Sequence, residues 1–374
     1  MAIPVFRPSY GKEELVLLEE VLKSGWAGQG PKTDQFEKEF GAYVGSPHAS
    51  AMNSCTAALH LAMQVAGVEG GEVITTPMTF VSTNHSILFN KGAPVFCDIE
   101  PDTLNIDPKE IEKLVTKKTR AIAAVHYGGH ACDLDAILEI AKKHKLVVIE
   151  DCAHACGGEY KGKKLGSIGD MGCYSFHAVK NLACGDGGMV TTRNAEWDKR
   201  LRRLRWVGIS KDTWKRTEID QKYSWFYTVE ELGYKYHMND ISAAIGLAQL
   251  RKLDQKNARR KEITQIYNKE FKNLPWLETP VQKPYANSSN HNYCAKIEPK
   301  HRDAFMAYLL EKGVSTSVHY FPNHLYELYK PYYRSLPVAE SVWKKIVILP
   351  LFPDLTDSEV GLIVDSVKKF SQKI

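Results

Sequence analysis

The fold is decided by the stretch IEDCAHACGGEYKGKKLGSIGDMGCYSFHAVKNLACGDGGMV, residues Ile149–Val190. It continues an unbroken apolar run, Leu146-Val147-Val148-Ile149, and opens on two carboxylates, Glu150 and Asp151. An apolar run without alternation is the pattern of a strand covered on both faces, as in a parallel sheet flanked by helices. In such sheets ligands sit at the carboxyl ends of the strands, which puts Asp151 in the crevice. A carboxylate there suits a ribose hydroxyl, a metal or a protonated ring nitrogen. Farther on, Tyr174-Ser175-Phe176-His177-Ala178-Val179-Lys180 sets a lysine between a strand-like run and the turn Gly185-Asp186-Gly187-Gly188. A lysine kept from bulk water is disfavoured as a cation and becomes a nucleophile, and an ordinary surface lysine is the other account of the same residues.

Outward from this stretch the same alternation repeats. Further apolar runs are Val73-Ile74-Thr75, Val95-Phe96-Cys97, Ala121-Ile122-Ala123-Ala124-Val125 and Gly188-Met189-Val190. Helical spacings lie among and before them. Leu15, Leu18 and Leu22 mark one apolar face ending at Gly25, and Phe36, Phe40 and Tyr43 another ending at Gly45. A third helix opens near Thr56 and stops at Gly67. Strands alternating with helices predict an α/β fold with a mainly parallel sheet. A long helix is predicted from Asn239 toward Phe271, then a loop over Val281–Asn290, then a smaller α+β unit. Its last helix begins with the capping-box pattern Thr356-Asp357-Ser358-Glu359.

The chain has 374 residues, more than one core normally organises, so two domains are expected, a large one over 1–250 and a small one over 251–374. Its 49 basic and 44 acidic residues leave a net charge of +5 without a long basic run. That argues against a nucleic-acid partner and suits a small anionic ligand. The opening residues carry no export-signal pattern, and no apolar run is long enough for a membrane span. The eight cysteines form no Cys-x-x-Cys pair, as expected of a reduced, cytoplasmic protein. His126, His130, Cys132, Cys152, His154 and Cys156 match no zinc spacing, and no metal is expected.

Asn53-Ser54-Cys55-Thr56 reads as a turn into a helix. Free backbone N–H groups, the positive end of the helix dipole and two hydroxyls suit a phosphate there. A plain N-cap is the other account of the same residues.

With these motifs assembled, the sequence resembles the sugar aminotransferases of the DegT/StrS type, which are fold-type I enzymes dependent on pyridoxal 5'-phosphate (PLP). The resemblance spans nearly the whole chain. It runs through IPVFRP (Ile3–Pro8), SGWAGQGP (Ser24–Pro31), SCTAALHLAM (Ser54–Met63), TTPMTFVST (Thr75–Thr83) and GAPVFCDIE (Gly92–Glu100). It continues through the stretch quoted first, GYKYHMNDISAAIGLAQL (Gly233–Leu250) and VHYFPNH (Val318–His324).

The resemblance implies a role for each matching residue. Lys180 matches the lysine that holds PLP as a Schiff base and shuttles the proton, and Asp151 the carboxylate facing the pyridine nitrogen. His154 and Phe80 match positions on the two faces of the ring. Ser54, Cys55, Thr56 and Ser175 match the phosphate contacts; the family often has glycine at the place of Cys55. Lys235 and His237 stand where the family often has Asn and Arg. Lys235 matches a position that reaches a cofactor phosphate across a dimer interface; contact with the substrate is the alternative. Trp26, His319 and Tyr320 match positions near the sugar. Arg202, Arg203 and Arg205 form a basic cluster, fitted to a pyrophosphate or to a solvated helix face. The stretch from Trp206 to Tyr227 has no secure alignment with the family and is either a specificity loop or a surface insertion.

The implied activity is transfer of an amino group, from glutamate or a similar donor, to a keto sugar. The family's common substrates are nucleotide-linked 3-keto or 4-keto deoxysugars; a cyclitol or a sugar without a nucleotide is the alternative. PLP becomes pyridoxamine phosphate during turnover, and a homodimer is implied. Family members that act as dehydratases carry histidine in place of the lysine, so Lys180 favours amino transfer. A regulatory PLP-binding role is the remaining alternative, and no DNA-binding motif accompanies it.

Overall fold

The computed structural model describes residues 2–209 and 227–370. Most of the stretch from Trp206 to Tyr227, including Trp214 and Trp225, lies outside the described residues. Seven strands make the main sheet: β1 (His48–Met52), β2 (Glu72–Thr75), β3 (Ala93–Phe96), β4 (Thr119–Val125), β5 (Val147–Asp151), β8 (Met171–Ser175) and β9 (Gly188–Thr192). Their order is β1-β9-β8-β5-β4-β2-β3. The pairs from β8 to β3 are parallel, while β9 runs antiparallel to both of its neighbours. This is the α/β architecture the apolar runs predict, with one reversed strand. That reversal has no signature in sequence, because a strand buried on both faces reads alike in either direction.

Helices cover both faces of the sheet. Those used below are α1 (Lys12–Ser24), α2 (Pro31–Val44), α3 (Cys55–Val65), α4 (Val81–Phe89), α7 (Ala195–Arg205) and the long α8 (Asp240–Phe271). α3 is apolar all round and is packed between the sheet and other helices, as such a helix must be. α1 forms where predicted and ends at Gly25, whose φ of 71° a Cβ would strain. Its buried face, however, is Glu14, Leu17 and Val21, while Leu15 and Leu22 are exposed. The chosen face is the one that lets Glu14 meet Gln249 at 2.7 Å and Lys252 at 2.6 Å on α8. α8 also caps α2: the Asp240 carboxylate accepts the N–H groups of Gly30, Lys32 and Thr33 at 2.9–3.0 Å.

A second core begins on α8 with Ile263, Tyr267 and Phe271 and joins a three-stranded antiparallel sheet, β10 (Leu277–Glu278), β12 (Tyr293–Ile297) and β13 (Ile346–Leu349). Ile3, from the other end of the chain, packs in this same core. The loop expected over Val281–Asn290 is interrupted by β11 (Ala286–Asn287), which pairs with β6 (Glu159–Tyr160). The last helix, α11 (Asp357–Phe370), carries the predicted capping box: the Glu359 N–H donates to Thr356 Oγ1 at 3.2 Å, and the Thr356 N–H to Glu359 Oε2 at 2.8 Å. Among the described residues no helix is long and apolar enough to cross a membrane.

Candidate active site

A cavity of about 800 Å³ opens where β5 and β8 end. Asp151, Lys180, His154, Phe80, Ser175, Ser54, Cys55, Thr56, His319 and Tyr320 all line it. Residues scattered over most of the sequence are thus brought to one surface. Two expected residues are not. Trp26 donates its indole N–H to the Gln29 carbonyl at 2.8 Å and does not line the cavity. Lys235 lies with Nζ 3.4 Å from the Trp206 ring centroid, also off the cavity wall. Its carbonyl accepts from Asn53 Nδ2 at 3.3 Å, one residue from the phosphate turn.

Asp151 is buried at the last position of β5. Burial raises its pKa, and hydrogen bonds from Thr83 and the Ala153 N–H offset this only in part. Lys180 opens into the cavity yet is ringed by protein; desolvation lowers its pKa to about 8, against the pull of Cys55 and Asp151. Desolvation thus favours the neutral form of both groups.

Ser54 caps α3, its hydroxyl accepting the Ala57 N–H at 3.1 Å. The first-turn N–H groups of Cys55 and Thr56 have no carbonyl of their own helix to meet and face the cavity side. β9 packs against this turn at Gly188, where a Cβ would collide with the Ser54 carbonyl. Cys55 is buried and its thiol is pushed well above the usual range by desolvation, so it stays protonated.

His154 is held from both sides. The Gly128 N–H donates to Nδ1 at 3.3 Å, and Nε2 lies 2.9 Å from the Tyr320 hydroxyl. Burial drives its pKa well below 6.5, so the ring is neutral. With Nδ1 accepting, the pattern assigns the proton to Nε2, which donates to Tyr320. The Tyr320 hydroxyl proton is then free for another acceptor. His291 stacks on His154 with centroids 4.4 Å apart, and its Nδ1 pairs with Asn181 Oδ1 at 2.9 Å. Among the described residues, His319 Nδ1 is buried without a hydrogen-bond partner.

Sequence reasoning missed His291, Thr79, Thr83 and Asn323, which also line the cavity. His291 sits just past the segment that reads as loop, and the two threonines in a segment noted only for its likeness to the family. Their side chains meet the site through tertiary contacts, which no local pattern announces.

The basic cluster on α7 faces neither a pyrophosphate nor solvent as a unit. Arg205 is fully buried and paired with Glu37, and Arg202 pairs with Glu37 at 2.6 Å and Asp198 at 2.9 Å. Of the six His and Cys residues set aside as a metal cluster, only His126 and Cys152, among the described residues, bring possible ligand atoms together, with Glu150. That group is closed: Glu150 accepts from His126 Nε2 at 3.0 Å and from the N–H groups of Gly166, Ile168 and Gly169, and His126 Nδ1 accepts from Cys132.

A desolvated lysine and a buried carboxylate that has no cationic ion-pair partner among the described residues, with an anion-seeking helix start on the same cavity, fit one cofactor. The lysine would suit an aldehyde, the carboxylate a protonated ring nitrogen and the helix start a phosphate. The site is that of a PLP-dependent transaminase on a two-core α/β scaffold. The chain belongs to the DegT/DnrJ/EryC1/StrS aminotransferase family, whose model matches residues 8–368. It is 42% identical over 376 residues to the spore coat polysaccharide biosynthesis protein SpsC of Bacillus subtilis (strain 168), covering 98% of this chain and 96% of that one. The sugar aminotransferase CalS13 from Micromonospora echinospora matches with a TM-score of 0.90 at 32% identity, covering 98% and 99% of the two chains. Spr1654 from Streptococcus pneumoniae in its PMP form matches with a TM-score of 0.93 at 32% identity, covering 99% of each, and its PLP form matches as well. The protein is a PLP-dependent sugar aminotransferase.

Proposed function

We propose that this enzyme moves an amino group from glutamate to a nucleotide-linked 3-keto or 4-keto deoxysugar, in making an amino sugar for a surface polysaccharide or natural product. The observation that carries this reading is the wall facing Lys180 and Asp151. There the part-buried His319 and Tyr320 line the cavity, and the Tyr320 hydroxyl, accepting from His154, keeps its own proton for a polyhydroxylated substrate. The name of SpsC, a polysaccharide biosynthesis protein, supports the pathway.

Bound PLP supplies a carbonyl carbon to hold the amine and a ring that withdraws electrons from the neighbouring carbon. In this reading Lys180 Nζ holds the cofactor and, once released, takes the proton from the substrate carbon and returns it. Its pKa of about 8 leaves enough neutral amine to do so near pH 7. Asp151 keeps a proton on the ring nitrogen. Ser54, Thr56, Ser175 and the Cys55 N–H hold the phosphate, with His154 and Phe80 flanking the ring. We place Trp26 and Lys235 at the neighbouring site of a homodimer, since neither reaches the cavity of its own chain. All eight cysteines are free and buried, which supports a cytoplasmic setting.

The test is to add glutamate to the PLP-loaded enzyme, watch conversion to the amine form, then add single keto sugars and watch its reversal. Reversal by nucleotide-linked keto deoxysugars and not by free keto sugars or cyclitols is the expected result. Reversal by a free sugar alone would overturn the nucleotide assignment.

A further inference from the structure

Asp151 is held by more than its strand. Oδ1 accepts the Ala153 N–H at 3.0 Å, and Oδ2 accepts the Thr83 hydroxyl at 2.7 Å. Thr83 lies in the first turn of α4, and its hydroxyl is 2.8 Å from that of Thr79. Chemistry sets the direction of these bonds. An ionised carboxylate only accepts, so Thr83 gives its single hydroxyl proton to Asp151. The Thr79–Thr83 bond is then donated by Thr79.

The Thr79 turn is clamped by a residue remote in sequence. Asn323 Nδ2 donates to the Thr79 carbonyl at 2.8 Å, and its Oδ1 accepts from Asn84 Nδ2 at 2.9 Å. Asn84 Oδ1 in turn accepts the Thr75 hydroxyl at 2.8 Å. Asn84, Asn323, Thr75, Thr79 and Thr83 are all buried. In so dry a setting valine would fill the place of Thr83 at equal volume. What the hydroxyl adds is a directed bond to a charge, stronger than one to a neutral group.

We infer that Thr83, oriented by Thr79, is a positioning residue that fixes the Asp151 carboxylate and keeps it ionised, so that the pyridine nitrogen of bound PLP stays protonated. This rests on the reading of Asp151 as the partner of that nitrogen. Burial favours the neutral acid at Asp151, and the Thr83 hydroxyl is the largest influence opposing it, ahead of the Ala153 N–H and Lys180. The titratable groups facing Asp151 are Lys180, His126, Tyr320, Cys55, Cys152 and Cys173. The three thiols and the phenol are all pushed upward by burial and stay protonated near neutrality.

The experiment compares wild type, Thr83→Val, Thr83→Ser, Thr79→Val and Asp151→Asn in three measurements. These are the absorbance of bound PLP as a function of pH, the affinity of the cofactor-free chain for PLP, and the pH profile of kcat. Thr83→Val is expected to move the acid limb of both pH curves to higher pH, because the carboxylate loses a donor to its charged form. It is also expected to lower kcat about ten- to a hundredfold. Thr83→Ser restores all three, and Thr79→Val shifts them the same way by less. If Thr83→Val does not fold, the Thr79→Val shift decides. Titration of both valine variants as wild type, with Asp151→Asn altered, would overturn the role of Thr83 alone. An unaltered Asp151→Asn spectrum would overturn the reading of Asp151 as well.

Discussion

Two groups of buried charge show opposite uses of the same desolvation. At Lys180 and Asp151 burial wins: the amine is lowered to about 8 and the carboxyl raised, so both move toward the neutral form. At Glu37, Arg202 and Arg205, beside β1, burial loses. It would raise the Glu37 carboxyl, but the guanidiniums of Arg205 and Arg202 outweigh it and hold the carboxyl below its usual range. Arg205 Nη1 also donates to the Ala51 carbonyl at 2.9 Å, and the Ala51 N–H donates to Glu37 at 2.8 Å, so the ion pair is stitched to the strand. In one group desolvation moves the charges toward neutrality, and in the other it does not. The difference is not depth but whether an opposite charge lies within bonding distance.

The largest effect that sharpens this contrast is catalytic. Lys180→Ala is expected to slow the glutamate half reaction by about three to four orders of magnitude, measured by stopped-flow absorbance, with little loss of folding stability. A variant turning over at the wild-type rate would break the assignment. The largest structural effect is expected at the ion-paired group. Glu37→Gln leaves Arg205 buried without its counter-charge and should cost about 3–5 kcal/mol, read from chemical denaturation.

A smaller effect has the opposite sign. In the cofactor-free chain the Asp151 carboxylate costs stability at neutral pH, because its folded pKa lies above the unfolded value of 3.8. Asp151→Asn should therefore raise the melting temperature of the cofactor-free chain while abolishing function. Lys180 adds a pH dependence. Its folded pKa of about 8 lies below the unfolded 10.5, so the penalty of charging it applies below pH 8 and is relieved between pH 8 and 10.5. Stability relative to Lys180→Ala should climb across that window. A flat difference would show that the amine is not desolvated. The smallest effect is expected at Arg203 on the same helix as Arg205. Its side chain is 30% exposed and pairs with Glu230 and Glu231. Arg203→Ala should cost about 0–1 kcal/mol, against the several at Glu37.

Much of this molecule was legible beforehand. The runs at Val73, Ala121 and Leu146 became β2, β4 and β5, and the Asn239 pattern became α8 almost to the residue. β1 and β8 went unlisted because His48–Met52 and Met171–Ser175 are rich in small and polar residues. At α1 two apolar stripes compete, and only the partners of Glu14 on α8 decide which is buried. Arg202 and Arg205 of α7 read as part of a ligand site or a wet surface and are neither, since their carboxylates come from α2 and from their own first turn.

The Lys180 and Asp151 candidates needed only the sequence: a carboxylate ending an apolar run, a lysine before a glycine turn and an ordered resemblance. Those signals are local, set by strand periodicity and by which chemistry a strand end permits. The Thr79–Thr83 relay, the Nε2 proton of His154 and the ion pair at Glu37 were decided by the tertiary structure alone. Each depends on the direction and partner of a hydrogen bond between distant segments, and a sequence records which groups exist but not which of them meet.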